Sequence, residues 1–330
     1  MKRYRVLFRV LPLVLVAATM TARSAEKQDP RASLIVVAGA GGEKDYDASF
    51  TKWAEEWRDA GVKGGARVTT IGLPGSGDDD IAALRAALQQ EPAESASPLW
   101  LVLLGHGTHD GRDAKFNLRG ADLAVSELAE WLKPMQRPVV VIGAFSASGA
   151  FLAPLSAPGR SVVTATKSGG ENNYARFGQY FSAAITDTSA DLDHDGQTSL
   201  LEAWLGAAQQ VATFYKSEGR LATEHALLDD NGDGRGTPAD WFQGIRVVKK
   251  SKDNAVPDGV RAHQMHLVPS AAEREMPPAV RTNRDAIELE IAQLRAVKST
   301  MAEEEFYAKI EAVMLRLARI YRETGSARRD

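Results

Sequence analysis

The sequence predicts an α/β fold with a mostly parallel central sheet and helices on both of its faces. Two observations predict this class. Apolar runs of strand length are continuous rather than alternating, which is typical of strands buried on both faces. Segments with helical spacing of apolar residues separate these runs, as strand–helix–strand units require. With 330 residues, 44% of them hydrophobic, the chain is long enough for one such domain and an appendage.

The predicted elements alternate along the chain. The first strand covers residues 34–39 and is followed by a helix over residues 50–60, with Trp53 and Trp57 on one face. A second helix begins at Asp78, because acidic residues in a first turn suit the positive end of the helix dipole. The remaining elements are strands at residues 67–73 and 161–166, a strand that ends at His106, a strand that ends at Ser146, and helices near residues 125–132 and 199–215.

Residues 1–25 are predicted to be a secretory signal peptide. A basic start precedes a short apolar run and a group of small residues, an order typical of such signals. An uncleaved amino-terminal anchor is the alternative. Residues 1–24 hold five Lys or Arg and no Asp or Glu, so their removal changes the formal net charge from −3 to −8. We therefore expect a periplasmic or secreted protein that binds neither nucleic acid nor, after cleavage, a membrane.

Two polar motifs end neighbouring predicted strands. His106-Gly107 follows the first, and Ser146-Ala147-Ser148-Gly149 follows the second, 40 residues later. One helix lies between them, which is about the length of a single strand–helix–strand unit, so the two strands should be adjacent. Because sites in such sheets gather beyond the carboxyl ends of strands, we expect both motifs at one rim.

These two motifs resemble the His-Gly and nucleophile motifs of the caspase–legumain–gingipain superfamily of cysteine peptidases. The resemblance covers roughly residues 32–248 and includes residues 163–170 after the next strand. It implies a caspase-like three-layer sandwich, with His106 as general base, Ser146 in the nucleophile position and the Gly107 N–H as an oxyanion donor. It also implies a substrate groove bordered by Lys167, Ser168, Gly169 and Gly170.

Serine replaces the family's cysteine at position 146, and the chain contains no cysteine. A serine hydroxyl is harder to ionise than a thiol and needs a base in hydrogen-bond contact. Ala144 stands where asparagine-specific legumains carry an acidic residue, so their specificity is not transferred. Three functions therefore stay open: a pseudopeptidase that binds peptide or protein, a serine-variant hydrolase that uses Ser146 and His106, and a scaffold that self-assembles through its carboxy-terminal helices.

These residues also have other interpretations. Ser146 could cap the following helix, and His106 could be a loop histidine bonded to backbone. Residues 144–148 also resemble the nucleophile elbow of α/β-hydrolases, for which His225 would be a late base. That interpretation leaves the glycine-flanked His106 unexplained.

An acidic stretch at residues 191–202 fits the twelve-position calcium loop. The predicted ligands at positions one, three, five, seven, nine and twelve are Asp191, Asp193, Asp195, Gln197, Ser199 and Glu202. Gly196 permits the sharp turn, and a helix follows, as the motif requires. We therefore expect a structural Ca²⁺ ion, the alternative being a solvated acidic turn capped by Ser199. A second stretch at residues 229–240 is a weaker version, with Asp229, Asn231, Asp233, Arg235 and Asp240 in the corresponding positions.

The carboxy-terminal part differs from the rest. Residues 249–280 are rich in charge and proline and are predicted to be a linker. Residues 281–325 carry an apolar stripe at helical spacing and are predicted to form a helical hairpin or coiled coil. A capping box at Thr300 and Glu303 would begin its second helix. The stripe would pack on the main domain or on a second copy, giving a homodimer.

Overall fold

The computed structural model describes residues 31–75, 77, 79–249 and 257–323. The predicted signal peptide, Asp78, residues 250–256 of the predicted linker and the last two residues of the predicted hairpin lie outside the described residues. Of the helices in the described ranges, none is long and apolar enough to cross a membrane.

The elements follow the predicted alternation and add short strands. The helices are α1 Lys44–Lys63, α2 Asp80–Gln89, α3 Val125–Leu132, α4 Gly149–Leu155, α5 Phe177–Ala184, α6 Leu200–Ser217, α7 Val260–His263, α8 Ala271–Glu275, α9 Pro278–Ala296 and α10 Glu303–Glu323. The strands are β1 Ser33–Ala38, β2 Arg67–Ile71, β3 Leu99–Gly105, β4 Gly107–His109, β5 Ala114–Phe116, β6 Leu123–Ala124, β7 Val139–Phe145, β8 Arg160–Thr164, β9 Leu227–Asp229, β10 Thr237–Pro238, β11 Phe242–Gln243 and β12 Arg246–Val247.

The central sheet has seven strands in the order β10-β9-β8-β7-β3-β1-β2. Strands β2, β1, β3, β7 and β8 pair in parallel, and β9 and β10 add an antiparallel edge. Helices cover both faces, so the predicted fold class is confirmed. The sheet aligns Gly105 of β3 with Phe145 of β7, which confirms that His106 and Ser146 follow adjacent strand ends.

Alternate residues of the central strands enter two separate cores. In β3, Trp100, Val102 and Leu104 face α1, α5 and α6, whereas the intervening leucines face α2, α3 and α4. The first core contains the fully buried Trp57 and Trp204. Truncation of a buried side chain of this size to alanine costs about 3–5 kcal/mol. Strand β3 is therefore packed on both of its faces, and this packing fixes the position of the site at its carboxyl end.

The carboxy-terminal segment packs against this domain and forms two antiparallel-packed helices of its own. Helices α7 and α8 lie within the predicted linker. Helices α9 and α10 bury Ile287, Ile291, Phe306, Ile310, Val313 and Ile320 between them. The predicted capping box is wrong: the Thr300 hydroxyl donates to the Val297 carbonyl at 2.7 Å, because this residue belongs to a short 3₁₀ turn. The predicted homodimer stays a prediction.

Candidate functional site

The turn after β7 holds the residue in the nucleophile position. Ala147 adopts a left-handed backbone conformation, with φ of 61°, which is uncommon for a residue with a side chain. Its N–H donates to the Glu171 carbonyl at 2.7 Å. The next residue is also fixed, because the fully buried Ser148 hydroxyl accepts the N–H groups of Ala165 and Thr166. The loop after β8 therefore clamps this turn in place.

The Ser146 hydroxyl is bonded to the backbone of the neighbouring strand end. Its side chain is buried, with 3% exposed. The Oγ atom accepts the Gly107 N–H at 3.0 Å and donates to the Gly107 carbonyl at 3.1 Å. These two bonds occupy both the serine proton and the N–H predicted to bind an oxyanion. Within the described residues, no hydrogen bond joins Ser146 to the His106 ring.

The His106 imidazole lies in an aromatic enclosure. Its ring centroid is 4.8 Å from that of Tyr46, 5.1 Å from that of Phe50 and 6.0 Å from that of Tyr174. Burial lowers the pKa of the imidazole more than the nearby backbone of Gly41 raises it. The ring is therefore mostly neutral at pH 7.

Asp110, the nearest carboxylate in sequence, does not orient this ring. It accepts the N–H groups of Arg112 and Asp113 within its own turn.

The predicted substrate border lies beside this turn. Lys167, Ser168 and Gly170 are exposed. The His109 ring lies directly on Gly169, where an added Cβ would be 2.4 Å from its Nδ1 atom. Gly149 packs equally closely, since a Cβ there would be 2.2 Å from the Ser168 nitrogen. The structure thus brings the border segment and the strand ends together.

Sequence reasoning missed a polar pair in the same border. The Glu171 carboxylate accepts the N–H groups of Lys167 and His225, and its second oxygen lies 2.5 Å from the His225 Nδ1 atom. The two partners are 54 residues apart and belong to no motif, so no local signal could have paired them. His225 is the base in the α/β-hydrolase alternative, but its ring is bonded to Glu171. Both described bonds of the Ser146 hydroxyl go to Gly107, so no described bond joins this serine to His225.

The first acidic loop brings together three of its six predicted ligands. One carboxylate oxygen each from Asp191, Asp193 and Asp195 lies within 4.8 Å of the others. Burial and the charges of its two neighbours raise the pKa of Asp195, so a cation there would relieve repulsion.

Like the three aspartates, which accept N–H groups within the loop, the other three predicted ligands have protein partners. Glu202 accepts the N–H groups of Leu192 and Ser199 and the Ser199 hydroxyl. The Gln197 side-chain carbonyl accepts the Ser270 N–H.

The second acidic loop has the same internal turns. In each loop, the aspartate at position one accepts the N–H of the glycine at position six. Asp191 accepts the Gly196 N–H at 2.9 Å in the first loop, and Asp229 accepts the Gly234 N–H at 3.0 Å in the second. Asn231 and Asp233 likewise accept N–H groups two residues ahead. Asp240, in the twelfth position, forms an ion pair with Lys249 instead.

No protein-family model matches this chain, and no curated protein matches its sequence. Among solved structures, the chain is similar to the crystal structure of the Drosophila initiator caspase Dronc, with a TM-score of 0.40 and 12% sequence identity. The similarity covers 62% of this chain and 80% of that chain. This similarity concerns the fold alone.

Proposed function

We propose that this chain is an exported, caspase-like pseudopeptidase that binds a peptide or protein segment without cleaving it. The proposed binding cleft would lie beside Ser146, His106 and the border segment 167–170. The observation that carries the proposal is the bonding of the Ser146 hydroxyl, whose proton points to the Gly107 carbonyl rather than to a base.

A serine nucleophile needs a base to remove its proton and free donors to stabilise the oxyanion. Here the Gly107 N–H already binds the serine oxygen, and the serine proton goes to the Gly107 carbonyl. Among the described residues, the Ser146 hydroxyl therefore has no bond to a base, and the Gly107 N–H is already occupied. The half-buried rings of Tyr46 and Tyr174 line the same place, and aromatic surface of this kind binds peptide side chains without any chemistry.

We expect no adduct when the folded protein is treated with a serine-directed fluorophosphonate, as read by intact mass. An active serine peptidase supplies the positive control. The Ser146→Ala variant identifies any labelling that arises elsewhere. A single adduct lost in both Ser146→Ala and His106→Ala would overturn the proposal in favour of the serine-variant hydrolase.

Binding is tested separately, with the immobilised protein and a random octapeptide pool. We expect retained peptides to fall about fivefold in Tyr174→Ala, since an aromatic contact contributes about 1 kcal/mol. Tyr307→Ala is the matched control, because this ring is exposed on α10. Equal retention by both variants would exclude the proposed cleft.

We also propose that Ca²⁺ binds the first acidic loop as a structural ion. The carboxylate oxygens of Asp191, Asp193 and Asp195 would hold it, and no catalytic step passes through it. At a calcium concentration ten times the dissociation constant, the expected gain is about 1.4 kcal/mol, or about 2–4 °C in Tm. Differential scanning calorimetry with calcium, with magnesium and with EGTA measures it.

The calcium effect should disappear in Asp191→Asn and persist in Asp187→Asn. The second residue is exposed and bonds to Ser189 outside the loop. Equal Tm values in calcium and EGTA would show that the carboxylates form a solvated acidic turn.

A further inference from the structure

We propose that a cavity beside the first acidic loop binds a small oxyanion, a carboxylate or a phosphate group. The cavity has a volume of about 280 Å³. It lies between the carboxyl end of α1, residues 185–198 and residues 268–274. This place is separate from the proposed peptide cleft, and the inference does not depend on the proposed function.

Two close contacts hold the walls of this cavity together. Gly64, directly after α1, packs so tightly that an added Cβ would lie 1.9 Å from the Leu267 carbonyl oxygen. The Ser270 N–H donates to the side-chain carbonyl of Gln197 at 2.8 Å. Because both contacts join segments far apart in sequence, they hold the three segments that line the cavity next to one another.

The two charged side chains that line the cavity are both basic. Lys63 and Arg274 line it, and no acidic residue does so within the described ranges. Lys63 is exposed in the last turn of α1, where the helix dipole favours a cation. Arg274 donates one N–H to the Pro269 carbonyl and has further donors. Neither side chain has a carboxylate partner among the described ion pairs, although the whole chain carries 43 acidic residues.

Neutral residues also line the cavity. Thr186 and Thr188 are among the lining residues, and carboxylate and phosphate oxygens form their strongest bonds with charged donors such as those of Lys63 and Arg274. Ile185 and Val268 form an apolar part of the wall. The cavity therefore fits an anionic group attached to a short hydrocarbon portion.

Two direct probes distinguish the two ligand classes. Inorganic phosphate, followed by ³¹P NMR, represents the phosphate class, and trifluoroacetate, followed by ¹⁹F NMR, represents the carboxylate class. Both titrations are done at constant ionic strength and with EGTA present, so that calcium does not contribute. We expect saturable line broadening of at least one probe by the wild-type protein. Lys63→Gln and Arg274→Gln should each weaken the apparent affinity about tenfold, since each removes a charge-assisted bond.

Lys52→Gln is the matched control, because this residue lies on the same helix and its side chain is 72% exposed beside Glu56. It should bind the probe as the wild type does. Equal broadening in the wild type, Lys63→Gln and Lys52→Gln would show non-specific attraction and overturn the proposal. Absence of saturable broadening with both probes would overturn it as well.

Discussion

Replacing Asp258 with asparagine is expected to make the protein more stable at pH 8 and to flatten its pH profile of stability. Asp258 and Asp230 are both buried, with 2% exposed each, and their carboxyl groups are hydrogen-bonded to each other. Burial, followed by the charge of Asp230, raises the pKa of Asp258 to about 8. The folded protein therefore keeps a proton that the unfolded chain releases.

The direction of the pH dependence follows from this proton. An aspartate in the unfolded chain loses its proton near pH 4. Between about pH 4 and about pH 8, Asp258 binds more protons in the folded state than in the unfolded state, so its contribution to stability falls as pH rises. The stabilisation is complete below pH 4 and is lost as pH passes through the raised pKa.

Asparagine keeps the shape of the side chain and removes its titration. Its carbonyl can accept the N–H groups of Asp230 and Asn231, as the Asp258 Oδ1 atom does. Its amide would replace the Oδ2 atom, which accepts the Thr237 hydroxyl, and can donate to the oxygen of that hydroxyl or to the remaining carboxylate. We expect a gain of about 1–3 kcal/mol at pH 8 and little gain at pH 5. Urea denaturation from pH 5 to pH 8 with EGTA present measures the free energy of unfolding.

Asp240→Asn provides the comparison, because Asp240 is an exposed partner of Lys249. It should leave the profile within about 0.5 kcal/mol of the wild type. An Asp258→Asn profile parallel to that of the wild type from pH 5 to pH 8 would show that the two carboxyl groups do not share a proton.

The sequence predicted the long elements of the fold and missed the short ones. The continuous apolar residues of β3 and β7 indicated buried parallel strands, and the single helix between them indicated adjacency. Strands β9 and β10 have three and two residues, too few for any periodicity to emerge. Asp258 lies in a segment that its charge and proline content predicted to be a linker. Its burial could not be predicted, because that burial depends on loop 229–240, which is distant in sequence.

The position of the candidate site was predictable, but its hydrogen bonding was not. His106 and Ser146 are placed by strand order, which hydrophobic patterning determines. The direction of the Ser146 hydroxyl depends on the left-handed turn at Ala147 and on the Glu171 carbonyl that holds it. Similarly, the spacing of the acidic loop predicted the cluster of aspartates, whereas the bonds of Glu202 to Ser199 and Leu192 arise from a capping box in the same residues.

Ser146→Cys is expected to introduce a thiol with a pKa below the ordinary cysteine value. The native chain has no cysteine, so alkylation by iodoacetamide would report residue 146 alone. The Gly107 N–H that now binds the serine oxygen at 3.0 Å would stabilise a thiolate, and His106 on the adjacent strand end can accept the thiol proton. We expect the pH midpoint of alkylation to lie at least about one unit below 8.5.

The role of His106 is measured by adding His106→Ala to this variant, which should raise the midpoint by about one unit. Ser168→Cys is the control thiol, exposed on the border segment of the same cleft, and should titrate near 8.5. If residue 146 matches this control and does not respond to His106→Ala, the two side chains do not act as a pair. If it responds, the strand ends still form a nucleophile–base site, and the serine at position 146 prevents catalysis because its hydroxyl stays protonated where a thiol would ionise.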